Sequence, residues 1–527
     1  MNELNKLEAL LSQGKISRRD FLSRMSALGL AVAASPFLGV GSALADVPKK
    51  GGRLRIASHS GHTTEVLDIR MLTDLMGQMV SQQVRNQLVV IDENGVAAPE
   101  LAENWEPSSD TKQWVFNLRK NVEFHNGKTM DADDVIYTIN LNRGEDTKSP
   151  VKEILKPITE LKKDGKHRVI ITLDSGSADF PYVLAEVNLM VVPNGTTDFD
   201  KGVGTGAFIL KQWEPGVRAF ATRNPNYFKN GLPYFDEVET LAVTDVVSRT
   251  NAVMTGRADV MARPDLKTVA MLKKSNKVQV LDVPGYAHYV LPMASNQDPY
   301  SDNNVRMALK YAIDREDLIK RVLRGYGVAG NDHPISARNR YYNSELPQRK
   351  YDPDKAKFYL KKAGMSKHIF KLYAADTAFA GAVDASILFS ESAKKAGINI
   401  KTIKVPNDGY WSDVWMKKEM CWSYWYGRPT EDWMLSLVYA GGANWNESYW
   451  KNERFNKLLK EARSELNEKK RRDMYWEMQK IISNEGSSII PIFGNYVYIA
   501  NKKLRFKTVA SNSMFDGRRI HERWWYA

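Results

Sequence analysis

The sequence predicts a mixed α/β protein of two or three domains, and three observations carry that expectation. The chain has 527 residues, 43% hydrophobic and 26% charged, a globular composition with material for a large core. Residues 101–136, LAENWEPSSDTKQWVFNLRKNVEFHNGKTMDADDVI, pass from strand to turn to helix. Elsewhere, short runs of β period alternate with capped runs of helical period, and no 20–50-residue repeat or low-complexity tract interrupts them.

In that stretch Trp114, Phe116 and Leu118 alternate with Val115, Asn117 and Arg119, the period of a half-buried strand. Asn126-Gly127 is a tight-turn pair, because both residues tolerate positive φ. Asp131 precedes Asp134 by three residues and Val135-Ile136 follow, which predicts a helix whose first free N–H groups are capped by Asp131.

The chain begins differently. Ser17-Arg18-Arg19-Asp20-Phe21-Leu22 precedes an apolar run from Met25 to Val40, and Ala43-Leu44-Ala45 places small residues where a signal peptidase reads. The twin arginines resemble a Tat export signal, spanning residues 1–45 and cleaved near Ala45. The run is rich in Gly, Ala and Ser and is interrupted by Pro36, so it makes a poor membrane span; an uncleaved anchor or an ordinary amphipathic helix is the alternative. No cysteine follows it to carry a lipid, and no later run of about 18 apolar residues exists, so the mature chain is expected to be soluble.

From residue 46 onward the elements come in order. Arg53 to Ala57 reads as a strand and Ser58 to Glu65 as a polar loop holding His59 and His62; residues 72–90 read as helix then strand, turning at Asp92 to Gly95. A module to about residue 200 includes a strand at Val169 to Leu173. Gly202-Val203-Gly204-Thr205-Gly206 lacks the phosphate-binding spacing and reads as a bend that needs glycine. Asn303 or Asn304 is expected to cap a helix burying Val305, Ala308, Leu309 and Ala312, and Asp314 the next. Asp352-Pro353 opens a helix that Gly364 ends. Helices near 454–464 and 468–483 and strands near 489–493 and 496–500 close the chain.

Composition excludes several functions. The net charge is +13, but Lys and Arg are scattered and no basic aromatic platform accompanies them, which argues for a solvated surface and against nucleic acid. Cys421 is the single cysteine; it lies in an apolar run, so no disulfide or cysteine metal cluster forms and a buried thiol is expected. No Ser-His-Asp grouping is readable from spacing, so no enzyme is expected. His59-x-x-His62 is too little for a metal site, and the expectation is no metal and no cofactor.

Residues 101–136 also resemble the segment that marks extracytoplasmic solute-binding proteins of peptide- and nickel-type ABC importers, family 5. The matching residues run from Leu101, Ala102, Glu103, Trp105 and Glu106 through Leu118, Arg119, Val122, Phe124, His125 and Gly127 to Asp134 and Val135. Further phrases follow in the family's order: Gly204-Thr205-Gly206, Trp213 to Gly216, Arg223-Asn224-Pro225 with Tyr227, Val305 to Arg315, and Asp352-Pro353. The resemblance covers nearly all of the chain beyond residue 45. It implies a periplasmic-binding-protein type II-like α/β fold, two lobes with an additional inserted subdomain. Lobe I would take residues 46–90, 200–295 and 495–527, the insertion 91–199 and lobe II 296–494. It implies a monomeric periplasmic component of an ABC importer, capturing a peptide or peptide-like solute and delivering it to an inner-membrane permease and ATPase complex. The first loop, with His59 and His62, would line the cleft.

The candidate site is the aromatic window from Tyr410 to Trp450, which holds seven of the 13 tryptophans. Rigid amphipathic rings serve both core and ligand walls. The candidates here are Tyr424, Trp425, Tyr426, Arg428, Glu431, Asp432, Trp433 and Trp445. In peptide-binding members of the family the equivalent loop carries an Asp for the ligand's α-amino group; here Gly427 stands at that position, with Arg428 beside it. Asp432 or Glu431 would then take over the amine, or Arg428 would grip an anionic group bidentately. A structural pair of Arg428 with Glu431 is the other reading. The rival functions are a binder of an opine, oligosaccharide or metal chelate, and an exported hydrolase.

Overall fold

A 15-residue strand, Val278–Pro292, lies antiparallel to Ser488–Asn501, and this long pair is the spine of the larger sheet. The structure, a computed structural model, describes residues 48–527. The export segment and the Ala45 cleavage point lie outside the described residues. The nine-stranded sheet runs Ser423–Trp425, Val278–Pro292, Ser488–Asn501, Val260–Ala262, Arg53–Ser58, Glu237–Ala242, Arg218–Arg223, Phe208–Glu214, with Gly327–Ala329 added to the side of Ser488–Asn501. Arg53–Ser58 pairs in parallel with both its neighbours; the other pairings in the sheet are antiparallel.

A four-stranded antiparallel sheet is built from Ala102–Pro107, Gln113–Leu118, Arg168–Leu173 and Ile158–Lys163. Its alternation is the expected one. Trp114, Phe116 and Leu118 are buried in one core with Phe124, Val135 and Ile139, while Val115 and Asn117 are only half-buried. Each such large side chain removed from water contributes about 1.5–3 kcal/mol. Helix Ala132–Arg143 follows with its capping box complete: Asp131 accepts the Asp133 N–H at 3.1 Å, and Asp134 accepts the Asp131 N–H at 2.9 Å. His125 ties this unit to the glycine segment, since its backbone N–H donates to the Gly204 carbonyl and its Nε2 lies 3.1 Å from the Gly206 carbonyl.

The glycines at 204 and 206 are needed for a different reason from the expected bend. Neither has positive φ; instead a Cβ would lie 2.2 Å from the Val84 carbonyl oxygen at Gly204 and 2.3 Å from the Val84 carbonyl carbon at Gly206. The two backbones touch, and the absence of a side chain permits it.

Two other expectations shift. Helix Asn303–Ala312 is capped by Asp302, one residue before the expected asparagines; its carboxylate accepts both the N–H and the side-chain amide of Asn304 at 2.8 Å. The two closing strands are one, Ser488–Asn501. Asn495 pairs with Pro284 and Gly494 with Gly327, so the ladder crosses the sequence gap that Gly494 creates. Caps at Asp314 and Asp352 stand as expected. Cys421 is buried, and burial pushes its thiol up to about 12. No helix among the described residues is long and apolar enough to cross a membrane.

Candidate functional site

A cavity of about 920 Å³ is lined by separated stretches of the chain: 59–91, 150–154, 185–188, 426–445, Tyr496 and 512–519. Helix Leu75–Val84 supplies one wall. Its cap Asp74, Gln78 and Gln82 fall at i, i+4 and i+8 and all face the cavity, while Met76, Met79 and Val80 are buried in the apolar core on other faces. Another part of the wall comes from the segment that follows strand Ser423–Trp425. That strand pairs with Val278–Pro292 through Trp425 opposite His288, then the chain turns through Tyr426 to Pro429 along the cavity. Thr430 stops the turn by capping helix Glu431–Met434, accepting the Trp433 N–H at 3.3 Å.

Five of the ten sequence-predicted residues line this cavity: His59, Tyr426, Arg428, Trp433 and Trp445. Burial, and the charges of Arg263 and Arg249, push His59 down to about 3, so the ring is neutral at physiological pH. The Tyr426 hydroxyl accepts from Arg263 at 2.6 Å, and Trp445 packs its ring 5.5 Å from Trp425. Arg428 donates to the Tyr426 carbonyl at 3.1 Å and lies over the Trp433 ring.

The other five sit elsewhere, each with a structural partner. His62 is exposed, 3.0 Å from the Thr64 hydroxyl. Tyr424 packs edge-on against Trp411 and Tyr426. Trp425 is buried and donates its indole N–H to Glu447, which also accepts from Trp415. Glu431 is buried and accepts the Tyr341 N–H at 2.7 Å; it makes no pair with Arg428. Asp432 pairs with Arg463 at 3.3 Å. Among the described residues no group of three His, Cys, Asp or Glu is placed to hold a metal.

Gly427 has a steric explanation. A Cβ there would lie 1.8 Å from the Tyr286 Cβ, so the space a side chain would need at that position is already filled.

Glu186 and Arg518 are among the charged residues at the cavity that were not singled out from the sequence. Glu186 precedes the short turn Val187–Leu189, and among the described residues its carboxyl takes no hydrogen bond. Burial raises its pKa, opposed by the charges of Arg518 and Arg428. One signal was available: Glu186 is the sole charge in the apolar run 183–192. Arg518 enters from a left-handed turn. Phe515, Asp516, Gly517 and Arg518 have φ of 55°, 58°, 66° and 65°. Left-handed backbone costs a side-chain-bearing residue roughly 1–2 kcal/mol, so a consecutive run is imposed by its surroundings. The Arg518 guanidinium donates to Gln82 at 3.3 Å, Gln78 at 3.4 Å and Ser513 at 2.8 Å.

With that geometry in view, comparisons with known proteins place the chain. Residues 97–447 match the model of "Bacterial extracellular solute-binding proteins, family 5 Middle". The periplasmic oligopeptide-binding protein OppA of Escherichia coli is 24% identical, over 92% of this chain and 94% of its own. Heme-binding protein A of Haemophilus influenzae is 25% identical, over 77% and 80%. Among solved structures, the ABC transporter-associated periplasmic binding protein DppA from Helicobacter pylori, in complex with the peptide STSA, superposes with a TM-score of 0.73 at 21% identity, covering 90% of this chain and 99% of that one. The fold is therefore the α/β, type II-like fold of periplasmic binding proteins, two lobes with an inserted subdomain. The family match covers well over half of the sequence, and the chain belongs to the bacterial extracellular solute-binding proteins, family 5.

Proposed function

We propose that this protein is the exported substrate-binding component of an ABC importer, which captures a peptide or peptide-like solute and delivers it to an inner-membrane permease and its ATPase. The single observation that carries the reading is the cavity. Its volume of about 920 Å³ lies near the upper end of the roughly 300–1,000 Å³ usual for small-molecule sites. Its walls combine rings (Tyr426, Trp433, Trp445, Tyr496) with amides (Gln78, Gln82, Gln87). In this reading His59, Tyr426, Arg428, Trp433 and Trp445 contact the solute. The relatives, an oligopeptide binder and a heme binder among them, fit the function and leave the solute open.

Closure would bring lobe I (46–90, 200–295, 495–527) toward lobe II (296–494), with the insertion at 91–199. Strand Ser488–Asn501 crosses the proposed boundary at 494/495, and its partner Val278–Pro292 ends just before the one at 295/296, which suits a hinge. Ligand energy would then favour the closed state that docks on the permease. The metal-chelate alternative drew on His59 with His62, and only His59 lines the cavity.

The test is a thermal-shift screen of mature protein refolded free of ligand, against peptides, opines, oligosaccharides and metal ions. A ligand at about 100 times its Kd adds about 2.7 kcal/mol and raises Tm visibly. A peptide hit is the expected result. Turnover of a model ester or peptide substrate, with no stabilising solute, would overturn the proposal.

A further inference from the structure

The cavity contains an imbalance of charge. Besides two tyrosines, seven of its lining residues carry ionisable groups, and most are already answered. Asp74 caps a helix, Glu153 pairs with Lys156, and Arg519 pairs with Glu100 at 2.9 Å and with Glu522. His59 is neutral at physiological pH. That leaves Arg428, Arg518 and Glu186. The two guanidinium groups bond only to neutral acceptors: backbone carbonyls for Arg428, and two glutamine amides and a serine hydroxyl for Arg518. Glu186 is the carboxylate whose charge acts on both. Two cations therefore share one anion, and both line the cavity.

Both guanidinium groups are half-buried, and a guanidinium partly withdrawn from water is costly unless an anion answers it. Arg518 is moreover held there by backbone strain. Asp516, the centre of the left-handed turn, is fixed by the Ala510 N–H, the Arg523 guanidinium and the Trp524 indole, and Phe515 donates its N–H to the Tyr498 hydroxyl. A strained turn fastened from four sides so that one cation enters a cavity is the arrangement expected at a ligand clamp.

We propose that the solute is acidic, and that a carboxylate of it binds between Arg428 and Arg518, supplying the anion the pair lacks. This rests on the solute-binding reading above and narrows it to a substrate class. Trp433 and Trp445 then carry the apolar body of the solute, and Gln78 and Gln82 orient the clamp.

The experiment uses matched pairs of probes on the ligand-stripped mature protein, with Kd measured by calorimetry. Ala-Glu is compared with Ala-Gln-amide, and glutarate with glutaramide; a neutral tripeptide, Ala-Ala-Ala-amide, is the control. Variants are Arg428→Gln and Arg518→Asn, the latter because asparagine tolerates left-handed backbone. The expected result is that an acid binds at least about tenfold tighter than its amide, and that each variant removes about tenfold or more of that preference. If Ala-Glu and glutarate both bind, the acid alone suffices; if Ala-Glu alone does, the peptide backbone is also read. Equal binding of acid and amide overturns the proposal and leaves the importer reading intact. So does binding of the neutral tripeptide alone, or an acid preference that both variants retain. Arg428→Lys and Arg518→Lys guard against misfolding: they keep the charge and lose the fork, and are expected to restore part of the preference. No binding of any probe overturns the acidic clamp, and the wider screen then decides the importer reading separately.

Discussion

Asp516 accepts the indole N–H of Trp524 at 3.0 Å, and both side chains are buried. The same carboxylate takes the Ala510 N–H at 2.6 Å and the Arg523 guanidinium at 3.1 Å, so one residue fastens the left-handed turn to the core behind it. Asp516→Ala leaves two buried N–H donors without an acceptor and a partly buried arginine without its carboxylate, with the Ile91 carbonyl as a remaining partner. Unpaired buried groups cost about 1–3 kcal/mol each, more when charged, and some relax. The variant should lose about 2–4 kcal/mol of unfolding free energy in urea. A loss below about 0.5 kcal/mol, within the range of neutral surface changes, would mean that the turn is held by something else.

Gly427 and Tyr286 give a second prediction. The ideal Cβ at 427 overlaps the Tyr286 Cβ at 1.8 Å and approaches its Cα at 3.0 Å. Relief requires strand Val278–Pro292 to move, because the obstructing atoms are close to its backbone. Gly427→Ala should cost about 1–3 kcal/mol by overpacking. Gly427→Asp, which would return a carboxylate to that position, should be worse, since it adds a charge in the same space. Chemical denaturation of both variants checks this; a Gly427→Asp protein as stable as the parent would show that Tyr286 yields.

How far the sequence could be read depends on the range of the signal. Trp114, Phe116 and Leu118, the Asp131–Asp134 capping box and the Asp352 cap are local, and period and capping chemistry expose them. The aromatic window was visible as a window, yet membership of the cavity was not. Trp425 and Glu431 sit within a few residues of Arg428, but one turns to Glu447 and the other to Tyr341, partners 22 and 90 residues away. Arg518 was illegible for a related reason. It is 90 residues from Arg428, and its direction is set by a left-handed turn whose Phe515 has no propensity for it. Glu186 was the exception, since a single charge in an apolar run is a readable anomaly.

Glu431 predicts a pH effect. Burial pushes its carboxyl up to about 7 from an ordinary 4.5, with Asp179 adding to the rise and Arg471 opposing it. The folded state therefore holds this proton at pH values where the unfolded chain has released it. Stability from this group is full below about pH 4.5 and is lost as pH rises toward about 7. Each pH unit in that window costs up to about 1.4 kcal/mol. Glu431→Gln keeps an oxygen for the Tyr341 N–H and removes the titration. Its stability relative to the parent should rise between pH 5 and about 7. Parallel Tm profiles for parent and variant across that window would refute the assignment.

Glu186 makes the last prediction, and it separates a clamp from a merely structural cluster. If the carboxylate serves as the resident counter-ion of Arg428 and Arg518, it also repels an incoming acid. Like charges roughly 8–16 Å apart at an effective dielectric constant near 20 repel by about 1–2 kcal/mol. Glu186→Gln should then tighten Ala-Glu and glutarate by roughly tenfold while leaving Ala-Gln-amide unchanged. The tightening should shrink in 1 M salt, to the extent that the site is open to ions. It should also shrink in the double variant with Arg518→Asn, because one of the two charges being uncovered would be gone. A cluster that only braces the fold predicts the opposite pattern: Glu186→Gln would alter stability and shift the Kd of acid and amide alike. Calorimetric titration of the four proteins of this cycle with both probes tells the two apart.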